Sequence, residues 1–356
     1  MTNFTHSESD PADRLDPKRV TLVYTMFNHL GDFVVMAGLL KKYDLLSVEF
    51  ESVIAHWNSP HVALFDGKTG DRFFNISKLG GLLKLIGKLR RQRKTGSIVM
   101  GIPMAPGSIQ AYGFFWFLKK LGALTHIVDF NLVNADAITP PRARYIYDRH
   151  LAQAAEIFQR PEWLEKKSMP LGLAAPTRRS QRTGSRVGFF PWSARAEMPE
   201  FNWQKNKWTQ LATQILEDPK LNVVLFGRDQ QFPEFHDTLR TGLPEKMRPQ
   251  LFALPVSSVE ELLQAIESLD YLITVNTSAL HLAHALQIPL VALCGSSLEI
   301  WQPEGDHVRI VRDHKGALPP SDIYQHDPLQ PSLQRIEAED VYQAFLDLRR
   351  NFPDSP

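Results

Sequence analysis

Apolar runs alternate with segments of helical spacing along most of the chain. In the first half, the apolar runs Val20–Phe27, Ser97–Ile102 and Ala123–Phe130 predict buried strands. The pattern of Gly31–Tyr43 predicts a helix directly after the first strand. Strands that are apolar throughout and separated by helices are typical of parallel sheets covered on both faces.

A second series of the same kind begins near residue 186. Its predicted strands are Arg186–Pro191, Asn222–Gly227, Leu251–Val256, Tyr271–Asn276 and Leu290–Gly295, and its predicted helices are Lys207–Asp218, Phe232–Arg240 and Val259–Leu269. The two series predict an α/β protein with two doubly wound, Rossmann-like domains.

The segments between these series suggest the domain boundaries. Residues 1–19 are polar and predict a loose tail, residues 20–165 form the first domain, and residues 186–334 form the second. Residues 161–186 are rich in Pro, Gly, Ser and charge, which is typical of a linker. Residues 335–350 predict a last helix, which we expect to pack back onto the first domain.

Composition excludes several classes of protein. Lys and Arg total 40 against 39 Asp and Glu, which argues against a generally basic nucleic-acid binder. Cys294 is the only cysteine, so no internal disulfide or thiolate cluster can form. The sequence shows no secretory signal and no apolar run near the ~20 residues that cross a bilayer. We therefore expect a cytoplasmic protein, free or peripheral on the inner face of the membrane.

The first candidate for chemistry is Asp32, in the segment His29–Asp32 between the first strand and the first helix. Ligands of open parallel sheets bind beyond the carboxyl ends of the strands, and a carboxylate there can accept a proton from a hydroxyl. The alternative is that Asp32 only complements the dipole of the helix. No GxGxxG dinucleotide motif accompanies it.

The second candidate is a pair of polar turns that follow two neighbouring strands. Asn276, Thr277 and Ser278 lie between a strand and a helix, and Gly295 and Ser296 follow the next strand. Free N–H groups at a helix start attract anions, so two such turns together suit a diphosphate. Ordinary helix capping is the alternative.

His281 and His284 are one helical turn apart, but no further ligands lie nearby in the sequence. We therefore expect no metal site, with one histidine facing the ligand and the other packing in the core.

These motifs together resemble glycosyltransferase family 9, the bacterial heptosyltransferases. Residues 276–286 read NTSALHLAHAL, where the family typically has D-[TS]-G-x-x-H-[LI]-A-A-A-L, and Trp301–Pro303 matches its W-x-P. Leu30–Asp32 resembles the early G-D motif. The resemblance is best over residues 186–303, recurs at 20–40 and is weak between 45 and 160.

The resemblance implies a glycosyltransferase B (GT-B) fold with the donor bound in the interdomain cleft. It implies transfer of a sugar, with inversion, from a nucleotide-diphosphate donor such as ADP-heptose to the lipopolysaccharide core, a lipid-linked saccharide. Neither a cofactor nor a metal is implied, and no nucleic-acid partner.

The resemblance also assigns roles to residues. Asp32 is then the base, and a lysine near Trp208 neutralises the departing diphosphate. The family usually has this lysine two residues before the Trp, where this chain has Asn206, so either Lys205 or Lys207 is the candidate. The other donor-binding residues are Ser193, Asp229, Asn276, Thr277, Ser278, His281, Gly295 and Ser296.

Two departures from the family pattern leave the function open. Asn276 replaces the usual Asp and Ser278 the usual Gly. A non-catalytic binding protein therefore stays as an alternative. A sugar-nucleotide epimerase or hydrolase stays as another, because one scaffold can support several functions.

Residues 78–94 form a basic, amphipathic segment with leucines on one helical face. Lys84, Lys88 and Arg91 are candidates for contact with a lipid-linked acceptor or an anionic membrane. The alternative is a surface helix that buries its leucines in the domain core.

Overall fold

The computed structural model describes residues 16–26, 29–66, 72–103, 109–127, 145–165, 168–173, 184–193, 202–227, 232–295, 301–313 and 333–353. By its internal contacts the chain divides into two compact units. The first comprises Met1–Asn28, Leu39–Ala143 and Tyr147–Ser168, and the second comprises His29–Gly38, Arg144–Ile146 and Met169–Pro356. The change of unit at residue 168 falls inside the segment predicted as a linker.

The first unit is built on a parallel sheet with the strand order β3-β2-β1-β4-β5. The strands are β1 (Val20–Met26), β2 (Glu51–His56), β3 (Phe73–Asn75), β4 (Ile98–Ile102) and β5 (His126–Ile127). The helices are α1 (Leu30–Leu45), α2 (Leu79–Lys94), α3 (Ile109–Lys120) and α4 (Ile146–Ile157), of which α1 and α4 begin in segments assigned to the second unit. Apolar side chains of β1, β2 and β4 pack with those of α2 and α3 in one core.

The second unit has a six-stranded parallel sheet with the order β11-β10-β9-β6-β7-β8. Its strands are β6 (Ser185–Phe190), β7 (Leu221–Gly227), β8 (Leu251–Pro255), β9 (Tyr271–Val275), β10 (Leu290–Cys294) and β11 (Val308–Arg312). Its helices are α5 (Lys205–Ile215), α6 (Phe232–Gly242), α7 (Val259–Glu267), α8 (Ser278–Ala285) and α9 (Ala338–Asn351).

Both sheets confirm the predicted fold class. The chain winds outward in one direction from β1 and from β6, and later returns to the other side of each, so each sheet is doubly wound. The sequence analysis missed β2, β3, β11 and α4. The charged ends of β2, the three-residue length of β3 and the arginines of edge strand β11 hide the continuous apolar run that marks the other strands.

The last helix, α9, lies in the second unit, which corrects the expectation that it packs on the first domain. Its buried side chains Val341, Phe345 and Leu348 join the core formed by α5 and the strands of the second sheet. Arg349 pairs with Asp218 at 2.9 Å. The predicted helix is therefore present, but it packs on the second unit and not on the first.

A buried lysine holds the segment before α9 in place. Lys207 Nζ donates to the carbonyl oxygens of Gln334 and Ile336 and to Glu337 Oε1, each at 2.9 Å. Trp203 Nε1 also donates to the carbonyl of Ile336, at 2.8 Å. These hydrogen bonds satisfy carbonyl groups of the segment that leads into α9.

Replacing Lys207 with Met should lower the free energy of unfolding by roughly 2 kcal/mol, because buried carbonyl groups lose a charged donor. Urea unfolding measures the difference, with Lys246→Met, an exposed lysine of the same unit, as the matched control. Equal stability of the two variants would contradict a structural role for Lys207.

Candidate active site

Each sheet has one place where the direction of winding reverses, and ligands of doubly wound sheets bind beyond the strand ends at such a place. In the second sheet it lies between β6 and β9, which pair in parallel. Ser193 follows β6 and Asn276 follows β9. In the first sheet the reversal lies between β1 and β4, and the segment after β1 leads into α1, which carries Asp32.

The turn from β9 into α8 presents polar groups at the end of its strand. Asn276, Thr277 and Ser278 are all partly exposed. Thr277 is the N-cap of α8, and its side chain makes no capping hydrogen bond. The Thr277 side chain therefore offers no acceptor to the first N–H groups of α8, although Leu280 N donates to the carbonyl of Thr277 at 3.1 Å. Helix-start N–H groups without a side-chain acceptor suit an anion.

The turn after β10 lies beside this one, as the adjacency of the strands predicts. Val275 and Leu293 are opposite each other in the parallel pair β9–β10, and Asn276 N donates to the carbonyl of Leu293 at 3.2 Å. Gly295 thus lies at the same edge as Asn276. Ser296 lies outside the described residues.

Asp32 lies in the first turn of α1 and is half-buried. The surrounding protein raises the pKa of Asp32 from its ordinary value of 3.8 to about 7, because burial penalises the charged carboxylate. Among the described residues no hydrogen bond or ion pair offsets this effect. A carboxylate with a pKa near neutrality is a stronger base than an ordinary one.

The residue next to Asp32 packs on the start of α8. A methyl group built on Gly31 would lie 3.1 Å from His281 Cδ2 and 3.8 Å from the Cα of Ser278. A methyl group at 3.1 Å would force the His281 ring to shift by a few tenths of an ångström, so glycine allows the unshifted packing. The first turn of α1, with Asp32, and the first turn of α8 are therefore neighbours within the second unit.

His281 is buried and fixed by Tyr145. Tyr145 Oη and His281 Nδ1 share a hydrogen bond of 2.9 Å, and their rings stack with centroids 5.8 Å apart. Trp301 meets the His281 ring edge to face at 6.3 Å. Burial lowers the pKa of His281 to about 4, so its imidazole is neutral near pH 7. Sequence analysis missed Tyr145, which lies outside every recognisable motif.

His284 packs in the interior. Its Nδ1 shares a hydrogen bond of 3.1 Å with His307 Nε2, and the two rings stack with centroids 5.1 Å apart. Burial, together with the nearby His307 and His281, lowers the pKa of His284 to about 3. Both histidines are thus buried, and His281 is the one in contact with the residue beside Asp32.

The two candidate lysines have different surroundings. Lys207 uses its ammonium on three acceptors inside the unit, which leaves no N–H group for a diphosphate. Lys205 is more than one-third exposed and pairs with Glu234 at 2.6 Å, in the first turn of α6. Lys205 holds the pKa of that carboxyl below its usual range. Lys205 is therefore the lysine that a ligand can reach.

A tryptophan closes the end of β7. Trp192 Nε1 donates to the carbonyl of Phe226 at 3.0 Å, and its indole lies where any side chain on Gly227 would be. The glycine that ends this strand is therefore required by packing. Asp229, the predicted ribose ligand, lies outside the described residues.

The basic helix α2 buries its apolar side chains in the core and also exposes cations, so both interpretations of its sequence apply. Leu85, Ile86 and Leu89 are buried in the core, whereas Lys84 and Arg91 are exposed. Lys88 pairs with Glu51 at 2.5 Å, so its charge is partly neutralised within the unit. Lys84 and Arg91 remain the better candidates for an external anion.

In the part of the chain that the structure describes, no three His, Cys, Asp or Glu side chains come close enough to hold a metal ion. None of the described helices is long and apolar enough to span a membrane.

Comparison with known proteins identifies the family of this chain. The model of glycosyltransferase family 9 (heptosyltransferase) matches residues 132–326, more than half of the chain. No curated protein sequence matches the chain significantly.

Solved structures show the same fold. Escherichia coli ADP-heptose lipopolysaccharide heptosyltransferase II has a TM-score of 0.56 at 17% identity, covering 93% of this chain and 99% of its own. A family 9 glycosyltransferase from Veillonella parvula has a TM-score of 0.59 at 16% identity, covering 95% and 100%. E. coli heptosyltransferase WaaC with ADP-2-deoxy-2-fluoro heptose has a TM-score of 0.57 at 11% identity, covering 92% and 99%. The predicted GT-B fold is thereby confirmed.

The iron-containing dodecameric glycosyltransferase TibC of enterotoxigenic E. coli is also similar, with a TM-score of 0.52 at 14% identity, covering 94% of this chain and 77% of its own. The fold thus accommodates a relative that contains iron, so a metal-free reaction does not follow from the fold.

Replacing Asp32 with Asn is expected to change how stability depends on pH. Between the ordinary pKa of 3.8 and the folded value of about 7, the folded chain holds a proton that the unfolded chain has lost. Wild type therefore loses stability relative to Asp32→Asn as pH rises from about 4 to about 7, and the difference stays constant above that range.

Urea unfolding of both proteins across this pH range measures the effect, and the comparison cancels the contributions of the buried histidines. A stability difference that does not change with pH would contradict the raised pKa.

Proposed function

Because the chain belongs to glycosyltransferase family 9, we propose that it transfers a heptose from ADP-heptose to a saccharide of the lipopolysaccharide core. One observation carries this proposal: the turn of α1 that holds Asp32 packs, through Gly31, on the start of α8. A base for the acceptor and an anion-binding helix start for the donor are thereby neighbours.

In the proposed reaction, the carboxylate of Asp32 accepts the proton of an acceptor hydroxyl. The oxygen attacks the anomeric carbon as the bond from that carbon to the diphosphate oxygen breaks. A single displacement with one base places the new bond opposite the old one and inverts the configuration. The raised pKa of Asp32 supports its role, because general bases work best with a pKa near the working pH.

The leaving ADP carries the negative charge that develops in the transition state. The N–H groups at the start of α8 and the ammonium of Lys205 are the described groups suited to stabilise it. Lys205 would then exchange its ion pair with Glu234 for the diphosphate. These positive groups supply the charge compensation, so we propose a reaction that needs no metal ion.

Asn276 and Ser278 are the departures from the family pattern, and both lie at this site. The amide of Asn276 can donate as well as accept, whereas a carboxylate only accepts. We propose that Asn276 contacts a phosphate or sugar hydroxyl of the donor, with Ser193 and Gly295 at the neighbouring strand ends. The lipid-linked acceptor implies work at the inner face of the cytoplasmic membrane.

Transfer should fall by at least about a thousandfold in Asp32→Asn, since the amide cannot take the proton. In wild type, kcat/KM should rise as pH increases toward about 7 and level off above it. The assay follows ADP release with ADP-heptose and extracted core lipopolysaccharide, with EDTA present throughout.

Incubation with donor alone is the control. Conversion of the donor without acceptor would favour an epimerase or hydrolase, and tight ADP-heptose binding without turnover would favour a non-catalytic protein. Near-normal transfer by Asp32→Asn would remove the proposed base, and a reaction stopped by EDTA would contradict the metal-free mechanism.

The substitution Gly31→Ala should lower transfer by roughly tenfold, because the added methyl group forces the His281 ring, and with it the first turn of α1, to shift. Gly113→Ala is the matched control, since a methyl group on that helical glycine meets no atom within 4 Å. Equal rates for the two variants would show that the close approach of α1 and α8 is not needed.

A further inference from the structure

The charge of the chain is distributed unevenly. Residues 72–127 contain ten Lys and Arg and no Asp or Glu, although the net charge of the whole chain is only +1. Most of these cations lie on α2 and near the end of α3. Arg72 and Lys88 form ion pairs with Asp44 and Glu51 of the same unit. The local excess of positive charge that remains points to a partner of the other sign.

The two helices are neighbours on one side of the first sheet. Arg90 Nε and Nη2 donate to the carbonyl of Leu121 at 2.9 and 2.7 Å, and Arg93 Nη1 donates to that of Gly122 at 2.8 Å. Side chains of α2 and α3 also share one buried core. Their outward surfaces therefore form one continuous area, which we call the α2–α3 face.

Large apolar side chains on this face are exposed to solvent. Leu79 and Leu83 of α2 are 71% and 57% exposed, and Trp116 and Phe117 of α3 are 59% and 42% exposed. They are four of the seven large exposed apolar residues in the described part of the chain. Several large exposed apolar side chains on two neighbouring helices are typical of an interaction site.

The same two helices expose cations as well. Lys84, Arg91 and Lys94 are exposed on α2, as are Lys119 and Lys120 on α3. Lys120 Nζ lies 5.3 Å from the centre of the Trp116 ring. Surfaces that bind at a bilayer interface typically combine exposed leucine, tryptophan and phenylalanine with lysine and arginine, as this face does.

We infer that the α2–α3 face docks on an anionic lipid bilayer. Apolar side chains enter the boundary between headgroups and acyl chains, while the lysines and arginines contact the lipid phosphates. A protein partner fits less well, because protein interfaces are depleted in lysine. This inference rests on the proposed function for the purpose of docking, which is to reach a lipid-linked acceptor. The binding to lipid itself does not depend on that function.

Vesicle flotation of the full chain, without donor, tests the inference. We expect binding to vesicles of phosphatidylcholine mixed with phosphatidylglycerol, little binding to phosphatidylcholine alone, and weaker binding at high salt. The double variant Leu79→Ser, Leu83→Ser should bind about tenfold more weakly. Both leucines are exposed, so the fold should persist, as circular dichroism and thermal melting can verify.

Phe252→Ser is the matched control, since Phe252 is 48% exposed but lies on β8 of the second unit. It should bind vesicles as wild type does. The charge variant Lys84→Glu, Arg91→Glu should lose the preference for anionic lipid.

The inference is overturned if the chain does not float with anionic vesicles, if it binds neutral ones equally, or if the leucine variant binds as wild type does. A wild-type dimer that the leucine variant converts to a monomer would assign the face to a second copy instead. If the chain binds vesicles but transfers no sugar, only the proposed function is contradicted. If it transfers sugar to detergent-dispersed acceptor but does not bind vesicles, only this inference is contradicted.

Discussion

Hydrogen bonding between β6 and β9 is the interaction on which the second unit depends. These strands are more than 80 residues apart in the chain, yet Gly188 pairs with Leu272 and Phe189 with Ile273. Their pairing creates the reversal of winding, and it brings the end of β6, with Ser193, beside the turn that holds Asn276 and Thr277. Without this pairing, the end of β6 with Ser193 would not lie beside the turn that holds Asn276.

A second constraint is the close approach of α1 to α8. Gly31 allows the backbone of one helix start to lie against Ser278 and the imidazole of His281. His281 is in turn held by Tyr145 and Trp301, so the packing partner of Gly31 is itself fixed. A neutral, buried histidine serves here as a rigid surface, because burial lowers its pKa far below neutrality.

Burial shifts the pKa values of the two ionisable groups in this region in opposite directions, because it favours the neutral form of each. It keeps His281 uncharged, and it raises the pKa of Asp32 so that the carboxylate holds a proton more readily. Folding bears the cost of the buried carboxylate at neutral pH, as is common at functional sites. The core of the second unit, to which α5, α9 and most strands contribute, supplies the stability that tolerates it.

Sequence patterns predicted most of the local structure, namely the long apolar strands, the helices of the second unit and the polar residues that follow the strands, but not β2, β3, β11 or α4. Apolar periodicity and turn chemistry act between near neighbours, so they can be read from a linear pattern. The strand ends at Val275 and Cys294 and the helix start at Ser278 differ from the predictions by no more than a residue or two.

Contacts between residues that are distant in the chain depend on tertiary packing. Lys205 and Lys207 are equivalent in the sequence, but residues two apart on a helix point about 200° apart, so one faces the core and the other the solvent. The same holds for the position of α9 in the second unit, for the pairing of Lys88 with Glu51, and for Tyr145 as the partner of His281. These contacts join distant parts of the chain, and no local pattern records them.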